Sequence, residues 1–483
     1  MFFEVPNLTD VFNRMITNGA KNIVSDKDFL QNEILKWKAS PKRMEQIVGD
    51  RYYRGYHDIL QKQRTAIGQG GSLITIDNLP NNKIVDNQYE KVVTQKVNFL
   101  VGQPTTFKTD NEQYLELLNQ IFDRNFLRAF KALTADCLNG GIGWLYVYYN
   151  EDGEFCFKRF APFEILPFWK DSEHTKLDYA VRAFEVSEYQ NGREIIVEKV
   201  EVYREEGIEY YTLNNGNLIP DIEKPKENYL KIGERDYNWS RIPLIPFKYN
   251  YLEIPLIRNT KSLQDSINTM LSNFQNNMEE DVRNTIFVLK NYDGENLGEF
   301  RQNLATYGAV KVREDGGVET LSVEVKADNY KAIVDLMKKE LIANAKGYDA
   351  AELRSGSTPN EMNIKSIFND INMDANAMEI EFEAGFENLL WFVNAHLANT
   401  NQGNFEDETV EIIFNKDTII NESQVIEDIS KSVNIISDET LIANHPWVDN
   451  PEDELIRLQK QREEDYKDFG YMKPIETDAQ EDI

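Results

Sequence analysis

The stretch GYDAAELRSGSTPNEMNIKSIF, residues 347 to 368, decides how this chain is divided. Its downstream border is a helix start, because Thr358, Pro359 and Glu361 fall at the N-cap, N1 and N3 positions of a capping box. From Met362 the apolar residues recur as Ile364, Ile367, Phe368, Ile371, Met378, Phe382, Phe386, Leu389 and Val393, helical spacings sustained to about residue 399. At 1.5 Å per residue that is roughly 60 Å of helix, where about 11 residues is the usual length. Upstream, Tyr330, Ile333, Val334, Met337, Leu341, Ala345 and Tyr348 share one face of a second helix. Ser355, Gly356 and Ser357 therefore sit in a small polar loop between two long amphipathic helices.

The chain has 483 residues, 41% of them apolar and 11% aromatic, which is enough for a folded protein of several domains. Its two cysteines, Cys137 and Cys156, are too few for a disulfide framework and lack a paired Cys/His spacing, so both read as core residues. The first residues, MFFEVPNLTD, hold no apolar core of signal-peptide length, and no run approaches the ~18 apolar residues of a membrane span. A protein made and kept in the cytoplasm is expected, with no membrane partner. Net charge is −29, and residues 401 to 483 carry 22 Asp and Glu against 7 Lys and Arg. Such acidity opposes non-specific affinity for nucleic acid, which comes from cations replacing counterions on phosphates. It also fits a plain solvated surface.

Residues 40 to 64 read as a helix capped by Ser40 with Pro41 at N1 and ended by GQGGS. Residues 82 to 104 and 111 to 139 read as two more helices. The period then changes from 3.6 to 2: WLYVYYN, EFCFKRF, YAVRAFEV, VEKVEVY and EYYTLNNGN are strands, with hairpin turns at Asp152-Gly153 and Asn215-Gly216. This α+β unit ends near RIPLIPFKYN. A helix resumes after Pro255 with Leu263, Ile267, Met270, Leu271, Phe274 and Met278, and stops near Arg283. Before the next helix, from Ala327, come a strand IFVLKNY, a short helix in ENLGEFRQNLATYG, and strands AVKV and VETLSVEV joined by Glu314-Asp315-Gly316-Gly317. A strand VEIIF and helices at 421 to 435, 437 to 444 and 451 to 468 complete the chain.

Catalytic signatures are missing from this pattern. Gly140, Gly141 and Gly143 follow a helix and precede a strand, the reverse of a phosphate-binding arrangement, and read as a turn. His57, His174, His396 and His445 are scattered without ligand spacing. The pair Glu279-Glu280 reads as solvated carboxylates on a helix surface rather than a Mg²⁺ site. The sequence points to no enzyme, cofactor or metal.

Taken in order, RYYRGYHDIL, NKIVDNQYEKVVTQKVNFLVGQP, FAPFEILPFW, IPLIPFKYN, IFVLKNYDGENLGEF and ISDETLIANHPWVDNPEDELIRL resemble the portal proteins of tailed bacteriophages, of the kind found in long-tailed phages of Gram-positive hosts. The resemblance covers nearly the whole chain. It implies an α+β portal fold: a wing of residues 1 to 255, a two-helix stem of 256 to 283 and 327 to 349, and a small α/β clip of 284 to 326. A tunnel loop of 350 to 358, a long wing helix of 359 to 400, a wing strand region of 401 to 420 and a helical acidic crown of 421 to 483 would follow. It further implies a ring homo-oligomer, dodecameric in the virion, at one capsid vertex. Implied partners are the terminase large subunit, a head-tail adaptor, the major capsid and scaffolding proteins, and double-stranded DNA in the channel.

On that resemblance, Arg354, Ser355 and Ser357 of the tunnel loop and Lys331, Lys338, Lys339 and Lys346 of the preceding helix are candidate channel residues. The lysines lie within an arc of about 100° on an ideal helix, with Asp328, Asp335 and Asp349 inside it. This mixed stripe reads either as weak phosphate contacts or as a solvated helix face. Arg354 either touches phosphates or pairs with Glu352 or a neighbouring subunit. Asn291, Asp293, Glu295, Asn296 and Glu299 are candidate terminase or adaptor contacts in the clip. The alternative from another class is an acidic scaffolding or head-tail adaptor protein that never contacts DNA.

Overall fold

The computed structural model describes residues 26–67, 71–76, 79–190, 192–232, 235–281, 286–292, 296, 298, 300, 302, 306, 312–321, 327–349, 361–416, 422–448 and 451–468. The chain is α+β and divides into two units, one of residues 1–349 with 368–417 and one of residues 350–367 with 418–483.

In the first unit, α1 (Asp26–Lys38) buries Leu30, Ile34 and Trp37. Helix α2 (Pro41–Tyr53) starts as its sequence dictates: Ser40 Oγ accepts the Arg43 N–H and Pro41 opens the first turn. It ends eleven residues before the expected 64. Gly55 turns the chain at φ +86°, and His57 folds back to stack on Tyr52 at 4.3 Å. Strands β1 (Thr65–Ile67) and β2 (Leu73–Thr75) then pair as a hairpin. Helix α3 (Gln88–Val101) starts six residues later than expected, capped by Asn87, whose Oδ1 accepts the Glu90 N–H.

After β3 (Thr106–Lys108), the single helix expected over 111 to 139 is two, α4 (Glu112–Ile121) and α5 (Arg124–Gly140). Phe122 leaves helical geometry and Asp123 caps α5 by accepting the Asn125 and Phe126 N–H groups. The break lets the Phe122 ring meet Phe107 at 4.7 Å and Phe126 at 4.6 Å. Gly141 then turns the chain at φ +77°, and a Cβ there would lie 2.1 Å from the Glu253 carbonyl oxygen.

The strands follow the alternation of the sequence. Antiparallel β4 (Ile142–Tyr149), β5 (Phe155–Phe160) and β14 (Leu244–Lys248) form a three-stranded sheet in the order β14-β4-β5. A longer meander runs through β6 (Ile165–Trp169), β7 (Leu177–Gln190), β8 (Arg193–Arg204), β9 (Gly207–Asn214) and β10 (Asn217–Pro220), with β11 (Lys226–Glu227) added beside β9. Asn215 and Gly216 both have positive φ, as the tight turn between β9 and β10 requires. β12 (Leu230–Ile232) and β13 (Arg235–Tyr237) make a small hairpin.

Helix α6 (Ile257–Asp281) is followed by the antiparallel pair β15 (Ile286–Tyr292) and β16 (Val312–Leu321) and then by α7 (Ala327–Asn344). The Glu314-Asp315-Gly316-Gly317 stretch does not join two strands. It lies within β16, where pairing jumps from Lys290↔Gly317 to Tyr292↔Val312. Asn291 and Asp315 take positive φ at this irregularity. Among the described residues of the short helix expected between these strands, Phe300 is buried and its N–H donates to the Asn296 carbonyl.

Helix α8 (Glu361–Asn399) has the length its periodicity implied. From Phe368 it belongs to the first unit and buries Phe368, Ile371, Met378, Phe382, Phe386, Leu389 and Val393. Phe386 sits at the centre of the core, 5.0 to 6.3 Å from the rings of Phe107, Phe122, Phe126, Phe130, Phe247 and Phe414. Strand β17 (Glu411–Ile413) pairs with β3. In the second unit, α9 (Glu422–Ser432), α10 (Asp438–Ala443) and α11 (Pro451–Asp468) agree with the three C-terminal helices of the sequence. Arg462 of α11 pairs with Asp438 of α10 at 3.2 Å.

Candidate channel face

Helix α6 carries a buried polar stripe at four-residue intervals: Thr260, Gln264, Asn268, Ser272 and Asn276. Three of these side chains accept backbone N–H groups from the segment before α3, and a fourth accepts one from the first turn of α3. Asn276 takes Asn82 at 2.7 Å, Ser272 takes Ile84 at 2.9 Å, Asn268 takes Asp86 at 3.0 Å and Gln264 takes Tyr89 at 2.9 Å. For Asn82, Ile84 and Asp86 the match is geometric: four helical residues rise about 6 Å, and two extended residues span about 6.6 Å. The helix thus substitutes for a neighbouring strand, and residues 82 to 87 stay out of α3. Asn268 Nδ2 also bonds His57 Nδ1 at 2.8 Å, which ties the chain beyond α2 to the same stripe.

This strap places Asp86 against α7. Its Oδ2 meets the Lys338 ammonium at 2.6 Å, and its Oδ1 accepts the Gln88 side-chain amide at 2.5 Å. The C-terminal end of α6 meets the first turn of α7 through Phe274 and Tyr330, with ring centroids 5.0 Å apart. Lys331 and Lys339 are exposed on α7.

The expected helix over 327 to 349 closes earlier, at Asn344. Lys346 adopts φ +52°, its N–H bonds the Ala343 carbonyl and the Gly347 N–H bonds the Ile342 carbonyl, a left-handed helix cap with lysine where glycine is usual. Lys346 is thereby turned toward Asp374 of α8, at 2.8 Å. Asp374 is a hub. Its other oxygen meets buried Lys96 of α3 at 2.6 Å and accepts the Tyr249 hydroxyl at 2.8 Å. Burial works to raise the Asp374 pKa, but Lys96, Lys346 and Tyr249 together hold it below the usual carboxylate value. Burial lowers that of Lys96 despite its partner.

Beside the hub, the chain leaving α7 and the chain of α8 come together. The Tyr348 and Phe368 rings lie 4.5 Å apart, Phe99 stacks on Phe368 at 6.2 Å, and Gln95 donates to the Tyr348 carbonyl. Tyr348 and Phe368, which flank residues 349 to 367 in the sequence, therefore meet at one apolar and ionic neck. Of the sequence candidates, Lys338 and Lys346 are bound to carboxylates of other elements. Arg354, Ser355, Ser357 and the Thr358 cap lie outside the described residues. So do Asp293, Glu295 and Glu299, while Asn291 and Asn296 are exposed.

The histidines are embedded in packing. His174 Nδ1 lies 2.6 Å from Glu253, and His396 Nδ1 lies 2.7 Å from the Tyr149 hydroxyl, with burial lowering its pKa. Cys137 is buried and Cys156 half-buried, both as free thiols. No helix among the described residues is long and apolar enough to cross a membrane.

Residues 36–468 match the family model for the SPP1 Gp6-like phage portal proteins, a span from the last turn of α1 to the end of α11. The chain belongs to the phage portal protein family. It is similar to the portal protein of Bacillus phage SPP1, 29% identical over 460 residues that cover 94% of this chain and 90% of the relative. It is also similar to the portal protein of Clostridium phage phiCD119, 23% identical over 458 residues covering 89% and 96%. The matched span contains the residues of the strap, the hub and both flanks of the neck. Sequence reasoning missed the strap and the hub. The strap's signal was polar residues every fourth position in α6, which reads as an ordinary polar face, and the hub joins residues 96, 249, 346 and 374 from separate stretches of chain.

Proposed function

We propose that this protein forms a ring at one capsid vertex and surrounds the channel through which double-stranded DNA is packaged by the terminase and later ejected. Head-tail adaptors attach to the same ring, and the protein is a structural component rather than an enzyme. The observation that carries the reading is the family match over residues 36–468, which takes in every helix expected for wing, stem and crown. The two long helices α6 and α7, with β15 and β16 between them, supply the stem and clip. Residues 350 to 358, between α7 and α8 in the sequence, supply the tunnel loop. Net charge of −29 per chain suits a conduit, since a wall that released many counterions would grip the polyanion it must pass. Negative-stain images of the purified protein test this: closed rings with a central hole are expected. A stable monomer in sedimentation at micromolar concentration, under all salt conditions, would overturn it.

A further inference from the structure

Lys338 and Lys346, on the α7 side, are engaged by carboxylates less exposed than themselves. Lys346 is 61% exposed against 8% for Asp374, and Lys338 is 32% exposed against 25% for Asp86. A solvent-borne anion can therefore approach either ammonium while its carboxylate stays behind it. Each carboxylate also keeps another donor when its lysine leaves: Asp374 retains Lys96 and Tyr249, and Asp86 retains the Gln88 amide. Around Asp374 the charges are two cations and one anion, so release of Lys346 leaves a neutral buried pair rather than an orphaned charge.

We infer that Asp86 and Asp374 are positioning residues that compete with DNA phosphates for Lys338 and Lys346, and so limit how tightly this portal holds the duplex. The inference rests on the channel reading above and makes it specific. Phosphodiester oxygens and these carboxylates seek the same ammonium groups, and a pair in contact with solvent is weak enough to exchange. A passing phosphate gains a contact only by displacing an acid, and the acid reclaims the lysine when the phosphate moves on.

The test is the binding of a short DNA duplex to the assembled protein across a salt series. Asp86→Asn keeps shape and the amide contact while removing the competing charge. Lys96→Met with Asp374→Asn frees Lys346 without stranding a buried lysine. Both are expected to bind DNA more tightly, with a slope of log affinity against log salt steeper by about 0.9 for each freed lysine that reaches a phosphate. Adding Lys338→Gln to Asp86→Asn should abolish the gain, a reversal that loosened packing alone would not produce. Should Lys96→Met with Asp374→Asn fail to fold, Asp86→Asn decides alone. Rings that bind DNA while Asp86→Asn overlays the wild type overturn this inference and spare the channel reading. Absence of both rings and DNA binding in wild type and variants overturns both.

Discussion

At the scale of single residues, Glu253 shows how one buried charge ties distant segments. It lies 3% exposed at φ +55°, next to Lys42 of α2 and 2.6 Å from His174, itself at φ +57°. Two non-glycine residues in the left-handed region are thus held by one interaction, each strained on its own. Burial pushes the Glu253 pKa up, yet Lys42 and His174 outweigh it and hold it at about 2, below the ordinary 4.5. A carboxylate lowered in this way contributes stability above its unfolded value, and the contribution disappears as pH falls through the folded one. The difference amounts to at most about 3 kcal/mol. Glu253→Gln is therefore expected to melt below the wild type near pH 6, with the gap closing between about pH 4.5 and 2. Parallel melting curves of constant separation across that range would contradict it. Nothing in the sequence near Glu253 marks it, because Lys42 and His174 are 211 and 79 residues away.

At the scale of elements, the legible parts are those whose cause is local. The apolar period of α8, the Ser40 cap of α2 and the Asn215-Gly216 turn depend on residues within one or two turns of chain, and the structure agrees with all three. The misread parts are those whose cause is tertiary. Residues 82 to 87 have a helical pattern, but Asn268, 182 residues from Asp86, takes a backbone N–H that a helix would use internally. Likewise α2 stops where His57 turns onto Tyr52, and α4 is cut from α5 where Phe122 enters the core. The strap therefore depends on its rungs. Asn268→Ala removes the partner of both the Asp86 N–H and the His57 ring and should destabilise the protein by about 2 to 4 kcal/mol, since buried groups left without partners cost roughly 1 to 3 kcal/mol each. Asn273→Ala, exposed on the same helix, should change it by less than about 0.5 kcal/mol. Equal denaturation midpoints for the two variants would remove the strap as a stabilising device.

At the scale of the whole molecule, the family was legible because it is carried by the order of parts over most of the chain. The candidate site was legible only in outline: a lysine stripe and a loop of small residues are visible in sequence, but the carboxylates on Lys338 and Lys346 come from residues 252 and 28 positions away. Pairing of these lysines within the chain raises the importance of Arg354, the one cation between Ala350 and Thr358 in the sequence. The neck formed by Tyr348, Phe368 and the Asp374 hub closes before residue 349 and after residue 367. The contacts described at the neck and around Phe386 are made by residues other than Arg354. Arg354→Glu is expected to assemble as the wild type does, but to package or retain less DNA, the deficit growing as salt is lowered because repulsion of phosphates is screened by salt. Ring formation by electron microscopy and DNA content of filled heads measure the two effects separately. Normal rings that fill and hold DNA as the wild type does would remove Arg354 from the channel, and rings that fail to form would place it at a subunit contact instead.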